Sequence, residues 1–271
     1  MSAMVCSNMT KETLDRMFTE GKRFDGRGLL DYRPIEISFD VSNKAEGSAR
    51  VKIGKTEVIV GVKMVVGEPY PDSPDKGNLT VSGDLLPMAS PRFESGPPKF
   101  NAIELPRLVD RAIRHSGILD LKELVINSGE KVWIVIIDIY PINDDGNIID
   151  AATIGATAAL RKTMIPVLDE KGGINYHKKS KTPLSIAKDI FPMIITFFKL
   201  GDSVLLDPTR EEQEACEARI AWGISKWEGQ HMINSCQKGE ELAFTRSDVE
   251  SMMDLIPKKF DEVSEKLKKF F

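Results

Sequence analysis

Cysteine is scarce in this chain: the 271 residues hold three, Cys6, Cys216 and Cys236. The number is odd and no Cys-x-x-Cys spacing occurs, which argues against a disulfide framework or a thiolate zinc site and for a reducing cytoplasm. Histidine is as thin. His115, His177 and His231 stand far apart, so metal-ligand spacing is absent and neither a metal nor a cofactor is expected. No run of about 18 apolar residues occurs, which excludes a helical membrane span. The longest apolar stretch, residues 132–140, carries Asp138 and has the length of a strand. Residues 1–10 have neither the basic flank nor the apolar segment of a signal peptide. A basic surplus is also missing: 37 Lys and Arg stand against 41 Asp and Glu, a net charge of −4. Phosphate neutralisation supplies most of the affinity for nucleic acid, so a nucleic-acid site here must be a local basic patch or be completed by another chain. What remains is an ordinary soluble composition, 41% hydrophobic and 29% charged, long enough to bury roughly 75% of its unfolded surface.

Hydrophobic periodicity divides the chain. Residues 11–18 read as a helix with Thr10 as N-cap, ending at Gly21. Alternation over 33–41, 47–53 and 56–66 predicts strands, with Gly54-Lys55 as a two-residue hairpin turn. Residues 67–78 and 88–99 are loops rich in Pro and Gly, with a strand at 79–87 between them. Residues 102–115 predict a helix with Ile103, Leu108 and Ile113 towards the core and Pro106 in the first turn. A strand follows at 132–142, a turn at 143–147 and an Ala-rich helix at 149–164 suited to close packing on a sheet. Strands at 191–200, 203–206, 220–227 and 230–235 come next, with turns at Gly201-Asp202 and Glu228-Gly229. A long amphipathic segment, 247–271, closes the chain, with Pro257 as a break. Strands then helix, twice over, predict an α+β or mixed α/β architecture in two similar halves.

Several segments, in order, carry a resemblance. They are Arg23-Phe24-Asp25-Gly26-Arg27, Asp31-Tyr32-Arg33-Pro34-Ile35-Glu36-Ile37, Gly96-Pro97-Pro98, Glu104-Leu105-Pro106-Arg107-Leu108-Val109-Asp110-Arg111, Asp144-Asp145-Gly146-Asn147 and Leu206-Asp207-Pro208-Thr209. From about residue 10 to the end, the chain resembles the ribonuclease PH-like family, and within it the catalytically silent ring subunit of the archaeal exosome. The resemblance implies an α+β ribonuclease PH-like fold of duplicated mixed β-sheets with flanking helices, plus a C-terminal helix. The expected division is an N-terminal helix at 1–22, a first sub-domain at 23–180 and a second at 181–271. It also implies partners: a catalytic sister subunit, three heterodimers forming a six-membered ring, RNA-binding cap subunits, and single-stranded RNA threaded through the channel. There inorganic phosphate attacks the RNA 3′ end and releases nucleoside diphosphates.

Phosphorolysis needs a cradle of backbone amides and an Arg for phosphate, and acidic residues for proton transfer or a divalent ion. In active members of the family the cradle reads Asp-Gly, a small residue, Ser or Thr, then Arg, at the start of a helix. Here Asp145-Gly146 is followed by Asn147, Ile148, Ile149 and Asp150. The hydroxyl and the Arg are both replaced by Ile, and Asp150 is expected to put negative charge where phosphate would sit. Active members also carry two Asp six residues apart, and here these are Asp207 and Gln213. Glu211 and Glu212 read as solvated charge after a strand, and Asp72, Asp75 and Asp84 as exposed turn residues. No catalytic residue is therefore assigned.

Arg107, Arg111 and Arg114 recur at i, i+4 and i+7, a stripe of guanidinium groups able to follow a phosphate backbone without reading sequence. Local pairing with Glu104 and Asp110 is the competing reading, and the resemblance favours RNA. The basic pair that active members carry before this helix is replaced by Phe100-Asn101, while Arg92 and Lys99 are candidates to line a channel. Arg23, Asp25 and Arg27 read as a structural clip, and Trp133, Trp222 and Trp227 as core or interface residues. Three functions follow: a non-catalytic RNA-binding subunit, a phosphorolytic enzyme in its own right using Asp207 and Glu211, or a scaffold without RNA contact.

Overall fold

The computed structural model describes residues 6–169, 173–175, 178 and 180–271. His177 lies outside them. The first helix, α1 (Asn8–Thr19), starts earlier than its apolar spacing predicts. Ser7, not Thr10, is the cap: its hydroxyl accepts the Thr10 N–H at 3.1 Å. A first sheet follows, with β1 (Ile35–Phe39), β2 (Gly47–Ile53), β3 (Thr56–Gly67), β4 (Asn78–Gly83), β5 (Val125–Asn127) and β6 (Lys131–Asn143). Its order is β1-β2-β3-β6-β4, with β5 on β6, and β4 runs parallel to β6 while the other pairs are antiparallel. The second sheet comprises β7 (Met193–Leu200), β8 (Ser203–Leu206), β9 (Ala218–Trp227) and β10 (Gln230–Gly239) in the order β10-β9-β7-β8. The expected mixture of strand directions is found in the first sheet; the described strands of the second pair antiparallel throughout.

Between the two sheets lie α2 (Phe100–Arg114) and α3 (Ile148–Lys162). The small residues of α3 allow it to sit close to the first sheet. A Cβ on Gly155 would stand 2.7 Å from Val60 Cγ2, nearer than packed side chains allow. Every residue of β7 is buried, because both of its faces are covered. Thr196 meets α3 through Asp150. Met193, Ile195 and Phe197 share a cluster with Met252, Ile256 and Phe260 of α5 (Arg246–Leu267), and Lys199 reaches Asp248 at 2.6 Å. A strand buried on both faces reads as a nearly continuous apolar run, which is what Met193–Leu200 is.

Helix α5 runs unbroken through Pro257. The proline lacks only the N–H that would reach Met253, a residue 48% exposed, so water can satisfy the freed carbonyl. Likewise Pro106 lies at the seventh position of α2, not in its first turn, because the helix begins at Phe100. Leu108 and Ile113 are buried as expected, but Ile103 is exposed, since its side shares the outward face with Phe100 and Arg107. Trp133 and Trp222 are buried, whereas Trp227, at the hairpin end of β9, is half exposed and no core residue.

Candidate functional site

The segments that the resemblance marks out, Asp145 to Asp150 and Asp207 to Gln213, meet at the place where the turn after β6 touches the segment after β8. Two residues with left-handed backbone mark it, Asn147 at φ 60° and Asp207 at φ 46°. Gly146 joins them at φ 86°, and a Cβ there would come within 2.4 Å of the Pro208 carbonyl. The two turns therefore touch through backbone, and the glycine is required.

Asp207 is completely buried. Its carboxylate accepts from Arg33 Nε at 2.9 Å and Nη2 at 2.7 Å, from the Arg33 backbone N–H at 2.8 Å, and from Asn147 Nδ2 at 3.0 Å. Arg27 Nη1 adds a contact at 3.1 Å. With its oxygens so occupied, Asp207 holds the turns together and has no lone pair facing open space for a proton or metal. Arg23 and Arg27 act as the expected clip: Arg27 also holds Asp25, and Arg23 donates to the Leu206 and Asp207 carbonyls at 2.9 Å.

The short helix α4 (Arg210–Ala215), which sequence periodicity missed, sits opposite the α3 N-terminus. Its Gln213 Oε1 accepts the Asn147 N–H at 2.8 Å. A backbone donor that would otherwise point at an anion is thus taken by the chain itself, and Ile148 and Ile149 follow it. Glu212 is not solvated. It is buried, accepts from Arg23 Nε at 2.9 Å and from the Thr209 N–H at 2.8 Å, and completes a capping box with Thr209. The spacing Thr209-x-x-Glu212 carries this signal in the sequence. Glu211, in contrast, is exposed. So are Asp72, Asp75 and Asp84, as expected.

Asp150 also departs from expectation. Its side chain turns inward and is fully buried, away from the place where phosphate would lie. It accepts from Tyr32 Oη and Thr196 Oγ1, each at 2.6 Å, and from Asn147 Nδ2 at 3.1 Å. Burial pushes its carboxyl up to about 6 from an ordinary 3.8, against those hydrogen bonds, and pushes the Tyr32 phenol up as well. Between roughly pH 4 and 6 the folded chain therefore holds a proton that the unfolded chain has released, and stability falls as pH rises through this window. The Asp150 contribution is expected to be about 1 kcal/mol larger at pH 5 than at pH 7. Denaturation curves at both pH values, with Asp150→Asn as reference, check it. A wild-type chain that gains stability relative to the variant from pH 5 to 7 would contradict the assignment.

The three arginines of α2 are not equivalent. Arg107 is exposed and has no hydrogen bond or ion pair among the described residues. Arg111 Nη1 donates to Gln237 Oε1 at 2.5 Å. Arg114 is bound by Asp110, at 3.0 Å from Nε, and by the Leu79 carbonyl at 2.9 Å, and Asp110 raises its pKa. The local-pairing reading thus holds for Arg114 with Asp110. Glu104 pairs instead with Arg219 at 2.7 Å and is not a partner of Arg107. All three arginines line a groove of about 270 Å³ beside β4, an edge strand. Arg92 and Lys99 have acidic partners, Asp144 and Glu214 for the first and Glu94 for the second.

Residues 31–166, from the approach to β1 to just beyond α3, match the family described as "3′ exoribonuclease family, domain 1". The exosome complex component Rrp42 of Methanothermobacter thermautotrophicus is 40% identical over 98% of this chain and 96% of its own length. The Rrp42 component of Thermococcus onnurineus is 43% identical over 98% and 97%. Among solved structures, a chain of the Archaeoglobus fulgidus exosome with RNA bound to the active site superposes with a TM-score of 0.87, at 38% identity over 96% of this chain and 98% of that one. The fold is therefore ribonuclease PH-like, as the motifs implied. With the turns after β6 and β8 joined as described and this likeness running over nearly the whole length, the chain belongs to the 3′ exoribonuclease family.

Proposed function

We propose that the chain is a non-catalytic ring subunit of an archaeal-type exosome, which binds single-stranded RNA through α2 and supports 3′-to-5′ phosphorolysis by a catalytic sister subunit. One observation carries the reading. The amide at the head of α3 is closed by Gln213, and the hydroxyl and guanidinium that phosphate would need are replaced by Ile148 and Ile149. The relatives named as exosome components and the solved exosome with RNA support the assembly. In this reading the partners are the sister subunit, paired in three heterodimers, and RNA-binding caps, in a cytoplasmic complex. The sub-domains run over 23–180 and 181–271, with 1–22 as a leading helix. The test is an RNA decay assay with inorganic phosphate. The chain alone is expected to release no nucleoside diphosphate, and activity is expected once the sister subunit is added. Release by the chain alone would establish the competing reading of an independent enzyme.

RNA contact is ranked within the stripe. Arg107 alone has all its donors available, whereas Arg114 must give up Asp110 to reach a phosphate. In the assembled ring, Arg107→Ala is expected to weaken RNA binding about ten- to a hundredfold, since a charge-assisted hydrogen bond contributes roughly 1.5–3 kcal/mol. Arg114→Ala is expected to have the smaller effect, with Arg111→Ala between. The salt dependence should fall by about one counterion for Arg107→Ala. Unchanged affinity and salt slope in the triple Ala variant would leave only the scaffold reading.

A further inference from the structure

We propose that Gln237 is a positioning residue for the RNA contact: it fixes the guanidinium of Arg111 so that the edge formed by Nε and Nη2 is left for a phosphate. The proposal rests on the RNA reading above. It adds to that reading a residue of β10, far from α2 in sequence, that sets the pose of one arginine of the stripe.

The chain of contacts starts at a buried ion pair. Glu104 of α2 is 8% exposed and Arg219 of β9 is 5% exposed. Arg219 Nη2 donates to Glu104 Oε2 at 2.7 Å. A Cβ on Gly239 would collide with the Arg219 guanidinium, so β10 backbone presses against that group and holds it. The second oxygen, Glu104 Oε1, accepts from Gln237 Nε2 at 3.2 Å. Gln237 Oε1 in turn accepts from Arg111 Nη1 at 2.5 Å. The amide of Gln237 has only one orientation here. A carboxylate held by a guanidinium accepts and cannot donate, so Glu104 takes the amide N–H; Arg111 can only donate, so it takes the carbonyl. The reversed amide would set its NH2 against Arg111 and its oxygen against Glu104, two repulsions in place of two hydrogen bonds.

What this leaves on Arg111 is specific. A guanidinium can grip a phosphate in pairs of N–H groups, along the Nη1–Nη2 edge or along the Nε–Nη2 edge. Gln237 occupies Nη1 and so takes the first edge. Among the described residues Nε and Nη2 of Arg111 bond to nothing, and neither is sealed from solvent. Arg114, the next of the stripe, is the reverse case. Its Nε and Nη2 are the atoms that Asp110 holds, and Nη2 also donates to the Leu79 carbonyl. Both arginines line the groove beside β4. The partners differ in charge as well as in the atoms they take. Asp110 neutralises the guanidinium it holds, whereas the amide of Gln237 directs its guanidinium and leaves the positive charge to the ligand.

The test is a double-mutant cycle in the assembled ring, with single-stranded RNA affinity measured over a range of salt concentrations for wild type, Gln237→Met, Arg111→Ala and the double variant. Methionine keeps the length of the side chain and removes the acceptor. Gln237→Met is expected to weaken RNA binding about three- to tenfold, the scale of one neutral hydrogen bond. Its salt slope should stay as in wild type, because the charge of Arg111 remains. In the Arg111→Ala background the same substitution is expected to change nothing. Gln237→Glu keeps the acceptor but neutralises Arg111, and should lower the salt slope by about one counterion, as Arg111→Ala does. Melting curves establish that the variants are folded. A measurement on the full wild-type chain needs no variant: rotation about the Nε–Cζ bond of Arg111, followed by guanidinium nitrogen NMR, is expected to be slower than that of the unpaired Arg107. If Arg111→Ala weakens binding and Gln237→Met does not, the proposal is overturned and the RNA reading stands. If Gln237→Met weakens binding equally with and without Arg111, or if Arg111 rotates as freely as Arg107, Gln237 does not act through Arg111 and the proposal is overturned. Unchanged affinity in Arg111→Ala would remove Arg111 from the RNA contact itself, and the proposal would fall with it.

Discussion

Replacing Arg33 by Ala is expected to destabilise the chain by about 3–5 kcal/mol, because it strands a fully buried carboxylate. Arg33 precedes β1, yet its guanidinium reaches both sheets' connections. It holds Asp207 through Nε and Nη2 at 2.9 and 2.7 Å, the Asp145 carbonyl at 2.7 Å, the Gly146 carbonyl at 3.1 Å and the Pro208 carbonyl at 3.2 Å. Asp207 has no exposed surface, so bulk solvent does not screen these contacts. The turn after β6 belongs to the first sheet and the turn after β8 to the second, so the loss should also loosen one half against the other. Arg33→Lys keeps the charge but not the fork, since an ammonium cannot reach the two carboxylate oxygens and three carbonyls together. Its loss should lie between wild type and Arg33→Ala. Equilibrium urea denaturation measures both. A loss below about 1 kcal/mol for Arg33→Ala would mean that water or Arg27 replaces the guanidinium, and the hub would then be misassigned.

This hub was not legible in the sequence, and the contrast with what was legible has a physical cause. Alternation reports a pleat, so the bounds of β2 and β8 agree with the hydrophobic pattern alone, and β3 differs by one residue. The hairpin turns were also readable, because Gly54, Gly201 and the pair Glu228-Gly229 adopt the positive φ that such turns need. Helix α4 spans only six residues, five of them charged or amide, and has no periodicity to read; its one signal is the capping box. Pro257 and Pro106 were misread because a proline ends a helix only where the freed carbonyl and the ring cannot be accommodated. Those conditions belong to the packed helix and not to the residue.

The site divides in the same way. The loss of a hydroxyl and a guanidinium at Ile148 and Ile149 is a fact of residue type, readable before any fold is known. Whether Asp150 faces the ligand or the core is a matter of helix phase. At the third position of α3 its side chain turns inward, where Thr196 of β7 and Tyr32, just before β1, offer hydroxyls. The pairing of Arg114 with Asp110 was readable as a local i, i+4 pair, but the rest of the distinction among Arg107, Arg111 and Arg114 depends on Gln237 and Leu79, neither of which lies near them in sequence.

Glu212→Ala is expected to have an effect as large as Arg33→Ala, about 3–5 kcal/mol, by the mirror-image mechanism of a stranded cation. Arg23 is 3% exposed, and among the described residues Glu212 is the one carboxylate it bonds; the Leu206 and Asp207 carbonyls would remain but carry no charge. The same substitution removes half of the α4 capping box, where Glu212 Oε2 accepts the Thr209 N–H at 2.8 Å, a further loss of about 1 kcal/mol. Two comparisons separate these parts. Glu212→Gln keeps the cap acceptor and loses the charge, so it isolates the ion pair. Arg23→Met with Glu212→Leu removes both charges and fills their volume, and should recover much of the stability, since a paired buried charge is often worth little more than an apolar pair of its size. The consequence reaches the candidate site, because α4 also carries Gln213. With the first turn of α4 loosened, the Asn147 N–H loses its partner and protection of that amide against hydrogen exchange should fall more than protection of β7. A double variant no more stable than Glu212→Ala, or an Asn147 amide as protected as before, would show that Arg23 and Glu212 are not what holds α4 against the head of α3.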